Sequence, residues 1–188
     1  KVFVMTNLTK VFDNTRCVLG EGPLWHPTRH VLLWFDIKGC KLFERNLTNK
    51  KAKTFDFDFE VSAAGWINDS EILVATSKSL IRFNLDTKRF YTLVDLEANN
   101  SITRSNDGRA DPQGGFWIGT MGRQLEAFAG AIYRYYKGEL RLLFPSISVP
   151  NSICFSPCGK IAYFADTALK KIMRVGLDIN GWPCSDPK

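Results

Sequence analysis

Phe116-Trp117-Ile118-Gly119-Thr120 followed by Ile132-Tyr133-Arg134-Tyr135 is the stretch that decides the fold, because the same plan occurs four times along the chain. Each copy has a turn, a hydrophobic run ending near a small polar residue, and a second run with a central charge. The other first runs are Val31-Leu32-Leu33-Trp34-Phe35-Asp36, Ile72-Leu73-Val74-Ala75-Thr76 and Ile161-Ala162-Tyr163-Phe164-Ala165-Asp166. Their second runs are Leu42-Phe43-Glu44-Arg45, Leu80-Ile81-Arg82-Phe83 and Ile172-Met173-Arg174-Val175. From Asp36 to Thr76, Thr120 and Asp166 the steps are 40, 44 and 46 residues. A period of about 40–50 residues built from short strands marks a β-propeller blade.

Working outward, each unit is expected to supply three or four antiparallel strands. Asn68-Asp69 and Asn84-Leu85-Asp86 separate the strands of unit two, and Asn and Asp tolerate the left-handed backbone of tight turns. Units three and four repeat the pattern at Asp111–Gly115, Tyr136–Glu139, Ser156–Lys160 and Asp178–Gly181. No window carries a helical period, so the expectation is an all-β chain. The units divide into an N-terminal strand (1–16, with Val2–Met5), blade 1 (17–60), blade 2 (61–100), blade 3 (101–148) and an incomplete blade 4 (149–188). The first three units have outer strands at Ala52–Phe57, Arg89–Asp95 and Glu139–Phe144; after Leu177 the sequence offers only Gly181–Lys188. An unpaired edge there is expected to promote association, including homo-oligomers through blade edges.

Composition supports a globular chain, since 45% hydrophobic and 13% aromatic residues can bury a real core. The net charge of +6 is spread through strands and turns, with its densest run at Lys50-Lys51-Ala52-Lys53. That pattern reads as a solvated surface and not as a nucleic-acid footprint. Cys17, Cys40, Cys154, Cys158 and Cys184 are odd in number and irregular in spacing, which points to a reducing, cytoplasmic compartment. Cys154 and Cys158 with His26 and His30 fit no zinc-module spacing. No run approaches 18 apolar residues and no charged-then-apolar segment opens the chain, so neither a membrane span nor a signal segment is expected. The Asn-x-Ser/Thr triplets at Asn7, Asn46, Asn68 and Asn100 would matter only after secretion.

Three polar clusters lie at turns or strand ends. In Gly20-Glu21-Gly22-Pro23-Leu24-Trp25 a carboxylate stands between two glycines, where the backbone is unobstructed. The run from Arg104 to Pro112 packs a guanidinium, an amide and two carboxylates into more polarity than a hairpin needs. In Val149-Pro150-Asn151-Ser152-Ile153 an asparagine precedes an inner strand. Taken alone, Glu21 also reads as a solvated turn glutamate and Asn151 as a turn former. Together, glutamate and asparagine oxygens suit a hard or borderline divalent cation.

These clusters resemble the gluconolactonase, regucalcin and luciferin-regenerating-enzyme family of six-bladed propellers. The resemblance is carried by Gly20–Trp25, by the whole run from Arg104 to Met121, and by Pro150-Asn151 followed by Ser156-Pro157-Cys158-Gly159. Tyr163-Phe164-Ala165-Asp166-Thr167 is similar to the bacterial sugar-lactonase branch. About four of the six blades would then be present, and the chain would be C-terminally truncated. By the resemblance, Glu21 and Asn151 match two ligands of one divalent metal ion (Ca, Zn, Mn, Mg or Fe). Arg104 and Asn106 match residues that grip the substrate, and Asp107 a group that fixes their loop. A substrate-contacting glutamate counts onto Gln124, with Glu126 two positions on. The family's third ligand, an aspartate that also serves as base, belongs one blade beyond Lys188.

The resulting expectation is metal-dependent hydrolysis of a sugar lactone to its aldonic acid. Its rival is a non-catalytic, truncated propeller acting as a metal-binding or interaction scaffold. No phosphate loop and no Gly-x-Ser-x-Gly elbow competes.

Overall fold

The structure, a computed structural model, describes residues 9–49 and 51–188. The strand expected at Val2–Met5 and the triplet at Asn7 lie outside the described residues. Blade 1 comprises β1 (Gly20–His26), β2 (Val31–Asp36), β3 (Lys41–Asn46) and β4 (Lys53–Asp56). Blade 2 comprises β5 (Val61–Trp66), β6 (Glu71–Thr76), β7 (Ser79–Asn84) and β8 (Phe90–Asp95). Blade 3 comprises β9 (Thr103–Ala110), β10 (Phe116–Gly122), β11 (Gly130–Tyr136) and β12 (Glu139–Ile147). Blade 4 comprises β13 (Pro150–Phe155), β14 (Ile161–Asp166) and β15 (Lys171–Gly176). Every sheet runs in sequence order with antiparallel neighbours, and the four stand as propeller blades with the first strand of each innermost. No helix is present among the described residues.

The unbroken apolar runs follow from burial on both faces of a blade. Successive strand residues point to opposite faces, and in a propeller each face meets a neighbouring blade. Ile72 and Val74 of β6 therefore pack against Leu33, Phe35 and Phe55 of blade 1. Leu73 and Ala75, their alternates, pack toward Phe116 and Ile118 of blade 3. Trp117, between those two, turns the other way and joins Ile153, Phe164 and Val175 of blade 4. All but Leu73 and Ile153 are at most 3% exposed, so full burial of each large side chain contributes about 1.5–3 kcal/mol.

The polar residues that mark the repeat have structural work of their own. Asp36 accepts the backbone N–H groups of Val18, Leu19 and Gly39 at 2.9–3.0 Å, tying the incoming segment to the end of β2. Burial penalises its charge, but these donors more than compensate and hold its carboxyl below the usual range. Asp166 repeats the device with the N–H groups of Ser148, Val149 and Ala168 at 2.8–3.2 Å. The central charge of the second run is satisfied differently in blade 3. Arg134 is fully buried, gives its Nε–H to Asp111 at 2.6 Å, and lies 4.5 and 4.3 Å from the rings of Tyr136 and Trp182.

Blade 4 differs from expectation at its edge. Its sheet has three strands, yet the outer side of β15 is not bare. Leu177 bridges Pro183, Cys184 N–H reaches the Gly176 carbonyl at 2.9 Å, and Arg174 and Lys188 exchange both backbone bonds at 2.9 Å. The tail lacks a strand-forming apolar pattern because its outer face meets solvent. Backbone pairing needs no such pattern.

Candidate functional site

Four β-bulges build the site. On β1, Gly22 and Pro23 together face Trp34 of β2; on β9, Asn106 and Asp107 face Gly119 of β10; on β13, Ser152 and Ile153 face Phe164 of β14. On β5, Ser62 is the extra residue. A bulge kinks its strand and re-aims side chains, and is frequent beside active sites. All four occur a few residues into the innermost strand at the same end of the fold. They swing the flanking polar groups toward the axis, where β1 packs on β5, β5 on β9 and β9 on β13. Two bulge residues hold positive φ, Gly22 at 59° and Ser152 at 58°. A Cβ at Gly22 would stand 2.4 Å from the Ser62 carbonyl oxygen, so glycine is required both for its φ and for the approach of blade 2.

Arg104, Asn106 and Asn151 form one hydrogen-bonded chain. Arg104, 5% exposed, donates from Nη1 to the Ser105 carbonyl at 2.8 Å and to Asn106 Oδ1 at 2.9 Å. Asn106 Nδ2 donates to the Pro150 carbonyl and to Asn151 Oδ1, both at 3.0 Å, joining blade 3 to blade 4. Asn151 Nδ2 reaches Thr167 Oγ1 at 2.9 Å. Asp107 accepts the Ile153 N–H at 2.8 Å, which fixes the neighbouring bulge. Ser62 and Ser105 hydroxyls meet at 2.8 Å between blades 2 and 3. Arg104 Nε is buried without a partner among the described residues, a donor left for something else to meet.

Glu21 belongs to the same electrostatic cluster. Burial raises its carboxyl above the ordinary range, and the charge of Asp107 adds to the effect against the Gly22 N–H and Arg104. Burial also pushes Asp107 up, only partly countered by the N–H groups of Ile153 and Gly108. Burial lowers Arg104, with Glu60 and Glu21 opposing and Arg123 reinforcing. A part-buried carboxyl raised by burial and by a neighbouring carboxylate is an environment that a cation relieves. Carboxylate oxygens and Asn151 Oδ1 are of the hard donor type that a divalent ion takes. Glu21 and Asn151, with Asp107 behind them, are the residues that would hold it. No three His, Cys, Asp or Glu side chains converge among the described residues, so this set is a partial one.

Gln124 and Glu126 stand apart from this chain of contacts. Gln124 is exposed, and Glu126 turns its Oε2 back to the Gln124 N–H at 2.9 Å. His26 is buried in blade 1 while Cys154 and Cys158 are exposed on blade 4, and all five cysteines are free. The run Arg104–Pro112, expected at a turn or strand end, lies mostly on β9, a strand polar along nearly its whole length. Ser62, Thr167, Glu60 and Arg123 were missed, being single polar residues outside any polar run.

The family pattern described as "SMP-30/Gluconolactonase/LRE-like region" matches residues 19–187. A crystal structure of a calcium-binding protein, regucalcin, from Agrobacterium tumefaciens str. C58 is 41% identical and superposes with a TM-score of 0.92 over 95% of this chain and 61% of that one. A protein of Rhizobium meliloti (strain 1021), provisionally named a sugar lactone lactonase, is 38% identical over 90% of this chain and 58% of its own length. The L-arabinolactonase of Azospirillum brasilense is 31% identical over 85% of this chain and 54% of its own. The chain thus spans 54–61% of the length of these relatives. With its four-blade fold and its family pattern covering residues 19–187, the chain belongs to the SMP-30/gluconolactonase/luciferin-regenerating-enzyme family.

Proposed function

We propose that the protein acts in metal-dependent hydrolysis of a sugar lactone to the aldonic acid. The observation that carries this reading is the bonded chain Arg104–Asn106–Asn151, set beside Glu21 at the bulged ends of the innermost strands. A divalent cation, when bound, would supply Lewis-acid polarisation of a carbonyl and a lowered pKa for bound water. The chain's own residues do the rest. Arg104 is buried and preset by two acceptors, so its remaining donors can meet negative charge as it develops on a substrate oxygen, with little reorganisation. Asn106 fixes both Arg104 and Asn151, so one amide sets the spacing between the guanidinium and the proposed metal ligand. Burial of Arg104 and Asn106 strengthens the contact between them.

The calcium-binding description of the Agrobacterium relative supports a divalent ion of hard character. The lactonase names of the relatives support a sugar lactone as substrate. The test is acid release from sugar lactones with and without added divalent ions, comparing the native protein with Arg104→Ala. Removing a preorganised donor is expected to lower kcat by about 10²–10³-fold while circular dichroism is unchanged. Metal binding without hydrolysis of any lactone would favour the scaffold reading instead.

A further inference from the structure

Outside the bonded chain, the same end of the fold carries a second charged cluster. Glu60, on the segment leading into β5, accepts Lys38 Nζ at 2.8 Å on one oxygen and Arg123 Nη1 on the other. Its backbone is fixed as well, since the Glu60 carbonyl accepts the Ser77 N–H at 3.0 Å. Lys38 lies in the β2–β3 turn of blade 1, and Arg123 follows β10 in blade 3, with its own N–H held by the Ile102 carbonyl at 2.8 Å. One carboxylate of blade 2 therefore clasps a cation from each neighbouring blade.

The exposures decide what this clasp presents. The Glu60 side chain is 14% exposed, whereas Arg123 and Lys38 are 29% and 39% exposed. The carboxylate faces inward and the remaining donors of its two cations face the solvent. Met121 pairs with Arg104 and the Arg123 N–H continues that ladder to the Ile102 carbonyl, so the cluster borders the candidate site. The other carboxylates nearby are engaged. Glu21 and Asp107 belong to the proposed metal set, and Glu126 is folded back on Gln124. Glu60 meets one donor each of Lys38 and Arg123, and these two part-exposed side chains keep further N–H groups for an outside acceptor.

We propose that Lys38 and Arg123, braced by Glu60, form an anion subsite at the rim, which takes a carboxylate, sulfonate or phosphate at the end of the sugar opposite the lactone carbonyl. The inference rests on the lactonase reading and narrows it to lactones of acidic sugars. Two cations from separate blades, each held on one oxygen of the same carboxylate, keep further donors that can close on a second oxyanion.

The experiment compares D-glucaro-1,4-lactone, which carries a carboxylate at that end, with neutral D-glucono-1,4-lactone. The variant Lys38→Met/Arg123→Gln is expected to lose about tenfold or more in kcat/KM on the charged lactone, mainly through KM, and to stay within about twofold on the neutral one. Raising the salt concentration should weaken the native protein's use of the charged lactone in the same direction. An equal fall for both lactones, or no fall for either, overturns the subsite. Lys38→Met alone sits on an exposed turn and gives a second reading, with about threefold loss expected on the charged lactone. Calorimetric binding of D-glucarate needs no turnover. If the native protein hydrolyses neither lactone, the lactonase reading fails; reduced glucarate affinity in the variant then upholds the subsite, and unchanged affinity overturns it.

Discussion

Replacing Gly22 by alanine tests whether the bulges at the site are dictated by packing between blades or by local turn preference. Gly22 holds φ at 59°, a conformation that costs an L-residue about 1–2 kcal/mol. Its added methyl would also meet the Ser62 carbonyl oxygen at 2.4 Å and the Phe35 ring at 2.9 Å, both in well-packed surroundings. Forcing a methyl into such a place costs about 1–3 kcal/mol more. Gly138, in the exposed β11–β12 turn, supplies the control, for its φ is 87° and nothing stands within 4 Å of the position a Cβ would take. Gly138→Ala pays only the conformational part, and both variants gain the same small unfolded-state benefit. Gly22→Ala is therefore expected to be less stable than Gly138→Ala by about 1–3 kcal/mol, read from urea unfolding followed by tryptophan fluorescence. In melting temperature the gap corresponds to about 2–12 °C for a chain of this size. Equal destabilisation within about 0.5 kcal/mol would show that blade 2 does not press on the bulge, and the reasoning about the site's construction would fail.

Asp36→Asn removes a carboxylate held below its normal range by three backbone donors. A depressed folded pKa gives stability that is fully present above the unfolded value, about 3.9, and is lost as pH falls through the folded value. The variant should lose about 1–3 kcal/mol near neutrality and show a flatter decline below about pH 4; parallel profiles would place the contribution elsewhere. The 188-residue polypeptide also leaves Ile172 80% and Leu169 43% exposed on blade 4. Apolar surface of this kind drives association, so light scattering should show mass rising with concentration. A constant 21.3 kDa would mean that the exposed flank is tolerated.

Much of this fold was legible because a propeller strand is buried on both faces. Runs such as Ile72–Thr76 and Phe116–Thr120 therefore stand out as continuous apolar segments, and their spacing gives the blade count directly. Asp36 and Asp166 were visible as repeat markers, though their role in locking the incoming segment depends on backbone donors that sequence does not display. Arg104, Asn106 and Asp107 were recognisable as a polar excess, and Asn151 as a lone asparagine at an inner strand. That the first three sit on a strand was not, because a strand lining a polar axis loses its apolar alternation. The bulges were illegible, since Ser62 and Ser152 look like ordinary strand residues until their partners are known, and Gly22 marked only an unobstructed backbone. Lys38, Glu60 and Arg123 are more than 20 residues apart in sequence and gave no local signal. The pairing of the tail along β15 is made mainly by backbone groups, with Ser185 Oγ accepting the Gly176 N–H, and leaves no trace in the apolar pattern.

The central claim is that the bulged inner strands bring Glu21 and Asn151 to one cation beside Arg104. It is tested most directly by a crystal structure of the protein grown with a divalent metal. The account predicts a single ion at the axis with a Glu21 carboxylate oxygen and Asn151 Oδ1 both at about 2.0–2.6 Å, next to the Arg104–Asn106 pair. An ion bound elsewhere, or Glu21 and Asn151 oxygens more than about 10 Å apart, far beyond the reach of a shared cation, would contradict it.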